Sequence, residues 1–68
     1  MINVEELKEM YPVGTRIELL HMEDVQAPPS GTRGTVFYID CIGTIHMTWD
    51  NGSSLGLIHG KDIFKVIK

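Results

Sequence analysis

Little in this chain can brace or anchor it apart from its own core. A single cysteine, Cys41, excludes an internal disulfide and fits a reducing compartment, and beside a turn it reads as a small inert residue against the alternative of a reactive thiol. No apolar run approaches the roughly 20 residues that a membrane helix needs. The start, Met1-Ile2-Asn3-Val4-Glu5-Glu6, is acidic where a secretory leader would be basic and then apolar, so the expectation is a cytoplasmic protein without membrane contact. Basic charge is scarce too: six Lys and Arg against nine Asp and Glu give a net charge of −3. Phosphate binding needs a clustered positive face, which argues against a generic nucleic-acid binder. The acidic excess lies in residues 1–34 (Glu5, Glu6, Glu9, Glu18, Glu23, Asp24), and Lys61, Lys65 and Lys68 make at most a modest basic rim. With 68 residues there is one domain and no room for a separate catalytic one.

What the chain does have is glycine at regular intervals. Gly31-Thr32-Arg33-Gly34-Thr35, Ile42-Gly43-Thr44 and Asp50-Asn51-Gly52 separate short apolar runs and mark where the backbone reverses. Ahead of them, Asn3 with Glu6 three residues on has the form of a helix cap. Val4, Leu7, Met10 and Tyr11 follow at helical spacing, predicting a short helix over residues 3–11 that must pack on the rest. Pro12 and Gly14 end it. From Thr15, within the barrel expected over residues 13–68, the period is two: Ile17, Leu19 and His21 share one face of a first strand, with Arg16, Glu18, Leu20 and Met22 on the other. Glu23 to Ser30, with Pro28-Pro29, is a stiff loop and the longest irregular stretch. Gly34 to Ile39 is a second strand whose run Val36-Phe37-Tyr38-Ile39 blurs the alternation, either because both faces are covered or because a bulge shifts the register. Thr44 to Trp49 alternates cleanly, with Ile45, Met47 and Trp49 inward. Asp50-Asn51-Gly52 is then expected to close a tight hairpin onto Ser53 to Ile58, and Ile63 to Ile67 makes a last strand. The fold class is mainly β: a small five-stranded SH3-like barrel with a short N-terminal α-helix.

The chemistry-bearing residues do not converge on a reaction. His21 and His46 are expected on opposite faces of the sheet wall and His59 in a turn, which leaves no three ligands for one metal ion. Ser30, Ser53, Ser54 and Cys41 lack a nucleophile motif, and Asp50 before Asn-Gly reads as a turn former whose carboxylate accepts backbone N–H bonds. The glycines at 31 and 34 precede a strand and lack the Lys-Ser/Thr ending of a phosphate cradle. No catalytic, metal or cofactor site is therefore expected. Trp49 and Phe64 read as core, whereas Tyr11, Phe37 and Tyr38 can be buried under the helix or exposed. If Phe37 or Tyr38 faces outward near Pro28-Pro29, an apolar groove edged by Glu23 and Asp24 results, suited to a basic or proline-containing peptide.

Taken together, Tyr11-Pro12-Val13-Gly14-Thr15-Arg16-Ile17-Glu18-Leu19, Ala27-Pro28-Pro29-Ser30-Gly31-Thr32-Arg33-Gly34-Thr35-Val36, Gly43-Thr44-Ile45-His46, Trp49-Asp50-Asn51-Gly52 and Ser54-Leu55-Gly56-Leu57-Ile58 resemble a bacterial and phage family known only as domain of unknown function 4314. The resemblance implies a small SH3-like barrel and carries over no catalytic residue. The expected function is a non-enzymatic protein-interaction module, with Glu23, Asp24, Pro28, Pro29, Phe37 and Tyr38 as partner-binding residues. Two alternatives stay open: an accessory nucleic-acid contact through Arg16, Arg33, Lys61, Lys65 and Lys68, and a structural homodimer.

Overall fold

Asn3 caps the first element in the computed structural model, which describes residues 3–67. Its Oδ1 accepts the Glu6 N–H at 2.8 Å and starts helix α1, Val4–Met10. Tyr11, at φ −131° and ψ 66° and so out of helical geometry ahead of Pro12, ends it. Leu7 is buried in the core, and Val4 and Tyr11 pack against it. Met10 departs from the expected stripe and is 48% exposed. At about 100° per residue it sits roughly 90° from the centre of the face that Val4, Leu7 and Tyr11 share.

Five strands follow: β1 (Arg16–His21), β2 (Arg33–Ile39), β3 (Thr44–Trp49), β4 (Leu57–Ile58) and β5 (Ile63–Ile67). They form one antiparallel sheet in the order β4-β3-β2-β1-β5, so the last strand returns to pair with the first. The structure is thus mainly β with one short helix, as expected. Its two edge strands, β4 and β5, do not pair with each other, so "barrel" describes the sheet only loosely.

The core is built from inward rows across the sheet. Ile17 stands opposite Gly34, which stands opposite Trp49; Val36 faces Met47; Ile39, Ile45 and Leu57 form the third row. All of these side chains are buried. Gly34 is required by close approach rather than by an unusual dihedral. A Cβ there would lie 2.7 Å from Trp49 Cε3 and 2.9 Å from the Thr48 carbonyl oxygen. Trp49 is further fixed by its indole N–H, which donates to the Leu55 carbonyl at 2.7 Å.

Three local expectations change. A register shift between Leu19 and His21 makes His21 the partner of Ile63 and turns its exposed side chain outward, while Met22 packs against the core. His21 and His46 therefore share the outer face. They remain apart because His21 ends β1 at the Arg33 end of β2, whereas His46 pairs with Tyr38 at the other end. The Asp50–Gly52 turn is not the tight type I′ form: only glycines have positive φ among the described residues, and Gly52 (φ 88°) donates its N–H to Trp49 O instead. Consequently residues 53–56 are not strand, and β4 is confined to Leu57–Ile58. Gly56 lies so close to Thr44 and the Ile45 carbonyl that a Cβ would reach within 2.6 Å of Thr44 Cγ2.

Candidate interaction surface

The second register shift, between Val36 and Tyr38, builds the most distinctive surface of the molecule. Val36 pairs with Met47 and Tyr38 with His46, leaving Phe37 as the extra residue of a β-bulge. Consecutive strand residues ordinarily alternate between faces. Here the bulge leaves both Phe37 and Tyr38 exposed, at 53% and 54%. This selects the bulge from the two readings that the apolar run allowed.

Both rings lean on His46. The Phe37 ring centroid lies 6.0 Å from that of the imidazole, and the Tyr38 centroid lies 5.7 Å from it. Asp40 holds the imidazole from behind, with its Oδ2 2.8 Å from His46 Nε2. The same carboxylate organises the β2–β3 turn, its Oδ1 accepting the N–H groups of Thr44 (2.9 Å) and Ile42 (3.1 Å). The His46 hydrogen bond, followed by the backbone bonds from Thr44 and Ile42, outweighs burial and holds the Asp40 carboxyl below its ordinary range. Because an ionised carboxylate only accepts, Nε2 carries the imidazole proton in the neutral form.

Beside this cluster Tyr38 also forms one wall of an apolar cleft of about 310 Å³, completed by Lys8, Tyr11, Pro12, Val13 and Ile39. The turn into β1 is held against β2 by the Gly14 N–H donating to the Val36 carbonyl at 2.8 Å. That bond places Pro12 and Val13 beside the end of β2. On the far side of Tyr11 the ring packs edge-on against Phe64 at 5.4 Å, so it is partly spent on the core.

The Glu23–Ser30 loop lies elsewhere. Gly31 N–H donates to Leu19 O and Ser30 Oγ–H to Leu20 O, tying the loop to the end of β1 that adjoins Arg33. Tyr38 is five residue steps along β2 from Arg33, roughly 17 Å at strand rise. The structure thus brings Phe37 and Tyr38 together and leaves Glu23, Asp24, Pro28 and Pro29 at the opposite end of β2, so the expected single groove is not formed. Within the loop Pro28 is buried, Pro29 is exposed, and Glu23 and Asp24 face water. Asp24 is occupied locally, its Oδ1 accepting the Gln26 N–H, while Glu23 stands 3.6 Å from His21.

Three of the basic residues, Arg16, Arg33 and Lys65, are engaged in ion pairs. Arg16 reaches across β2, donating to Thr35 Oγ1 at 3.0 Å and forking onto Asp50 at 2.9 and 2.7 Å. Asp50 therefore serves Arg16, in contrast to its expected backbone role, and the pair draws its carboxyl below the ordinary range. Arg33 (3.2 Å) and Lys65 (3.9 Å) flank Glu18. Lys68 lies outside the described residues. No group of three or more His, Cys, Asp or Glu side chains able to hold a metal ion is found among the described residues. No helix there is long and apolar enough to cross a membrane.

Sequence reasoning missed the Asp40–His46 pair and the Lys8–Val13 half of the cleft. The first had a signal, since two polar residues six apart about a glycine turn become neighbours across a hairpin. The second had none, because the helix-to-sheet angle is set by packing. No curated protein and no solved structure matches the chain. The family model described as domain of unknown function (DUF4314) does match, over residues 2–67, and the chain belongs to that family.

Proposed function

We propose that this chain is a non-enzymatic protein-interaction module that receives an extended segment of a partner protein across Phe37, Tyr38 and the adjoining Lys8–Val13 cleft. The observation that carries this reading is the β-bulge, which presents two neighbouring aromatic side chains to solvent. Exposed aromatics beside an apolar cleft offer large contact area at low entropic cost, the property that marks binding hot spots. The net charge of −3 favours a partner segment of basic character.

Selection of a random-peptide display library on the immobilised chain, followed by amide shift mapping with a selected peptide, tests the reading. Shifts at residues 8–13 and 37–39, lost in a Tyr38→Ala variant that keeps its fold, are expected. Shifts confined to the Glu23–Ser30 loop, or a selection that yields no binder, would overturn it.

A further inference from the structure

We propose that the Phe37, Tyr38 and His46 group is the seat for an arginine side chain of the partner, an inference that rests on the interaction reading and names the residue recognised there. Every element of the group offers electron density. Phe37 and Tyr38, each about half exposed, stand about one imidazole, at 6.0 and 5.7 Å. Ring faces attract cations placed within about 6 Å of their centroids. Because the Asp40 carboxylate accepts the hydrogen bond of His46 Nε2–H, Nδ1 of the neutral imidazole is left as a lone-pair acceptor, and no hydrogen-bond partner reaches it among the described residues.

Behind the imidazole stands the Asp40 carboxylate, so the fixed charge at this site is negative. The chain as a whole carries −3. A group that suits two ring faces and an acceptor nitrogen is planar, cationic and rich in N–H donors, which describes guanidinium. Ammonium is a compact, strongly hydrated charge that cannot stack, and an anion would meet the Asp40 carboxylate.

The experiment is an NMR titration of the full chain at about pH 8, above the ordinary histidine range, with blocked Gly-Arg-Gly, Gly-Lys-Gly and Gly-citrulline-Gly peptides. The arginine peptide should move the Phe37, Tyr38 and His46 resonances along a saturable curve, with affinity about threefold or more above the lysine peptide. The citrulline peptide, which keeps the shape and loses the charge, should bind weakest. Phe37→Leu and Tyr38→Leu should each weaken the arginine response about threefold while leaving the dispersed spectrum of the fold intact. Equal responses to all three peptides, or no response at these residues, would overturn the assignment. If display-selected peptides occupy the cleft without arginine and Gly-Arg-Gly fails to titrate, the arginine seat falls while the interaction reading stands.

Discussion

Gly34 carries a strict steric demand within the sheet. Its contacts with Trp49 and the Thr48 carbonyl leave no room for a methyl group, and one of the two obstacles is backbone that cannot turn aside. Gly34→Ala should cost about 1–3 kcal/mol by overpacking, read as a lower urea midpoint with an unchanged slope. Asp40 makes a different prediction. Its folded pKa lies below its ordinary value of 3.8, so its contribution to stability is present above that value and is lost as pH falls through the folded one. Thermal midpoints measured from pH 7 to pH 2 should therefore show an acid-side decline that is shallower in Asp40→Ala, whose penalty is largest at neutral pH. Asp50, drawn down by Arg16, acts in the same direction. The identity of Gly34 was legible in the sequence as a strand-entry glycine, but its steric reason was not, because Trp49 is fifteen residues away along the chain and adjacent only through pairing.

At the scale of elements, α1 is the least independent part of the fold. A seven-residue helix is too short to stand alone in water, and only Leu7 is buried within it. Leu7→Ala should cost about 2–4 kcal/mol and release the helix, visible as lost far-UV ellipticity near 222 nm, roughly the wavelength of the helix band, and as shifts at Gly43, which Leu7 abuts. Asn3→Ala should cost about 1 kcal/mol through the lost cap, with the remaining contacts unchanged. The sequence announced this helix, its cap and its end, since each is a local rule of spacing and donor satisfaction. It announced the strands equally well wherever alternation was clean, as in β3. It was ambiguous at β2 and misleading at the end of β1, because a bulge shifts parity by one residue and the competing registers differ only in long-range packing. The β3–β4 connection misled for a related reason. Asn-Gly favours a tight turn, yet Trp49 draws Leu55 to its indole and the chain spends residues 50–56 reaching that position.

For the molecule as a whole, the Cα radius of gyration of 10.9 Å is that of a compact chain of this length, about 11 Å. One core cluster joins α1 to four of the five strands, with Phe64 of the fifth packed against it. A single cooperative unit should unfold in one step, so urea transitions followed by Trp49 fluorescence and by far-UV circular dichroism should coincide. The sole tryptophan is 2% exposed, and its native emission should be blue-shifted and poorly quenched by iodide. The sequence by itself determined the class and order of the elements, the turn positions and the inward rows of β3. Those follow from propensity, period and glycine geometry, which act within a few residues. Only the tertiary structure decided that Phe37 and Tyr38 stand exposed around His46, that the proline loop lies at the other end of β2, and that Arg16 belongs to Asp50. These outcomes depend on register, and register is settled by which core side chains can be buried together across the sheet.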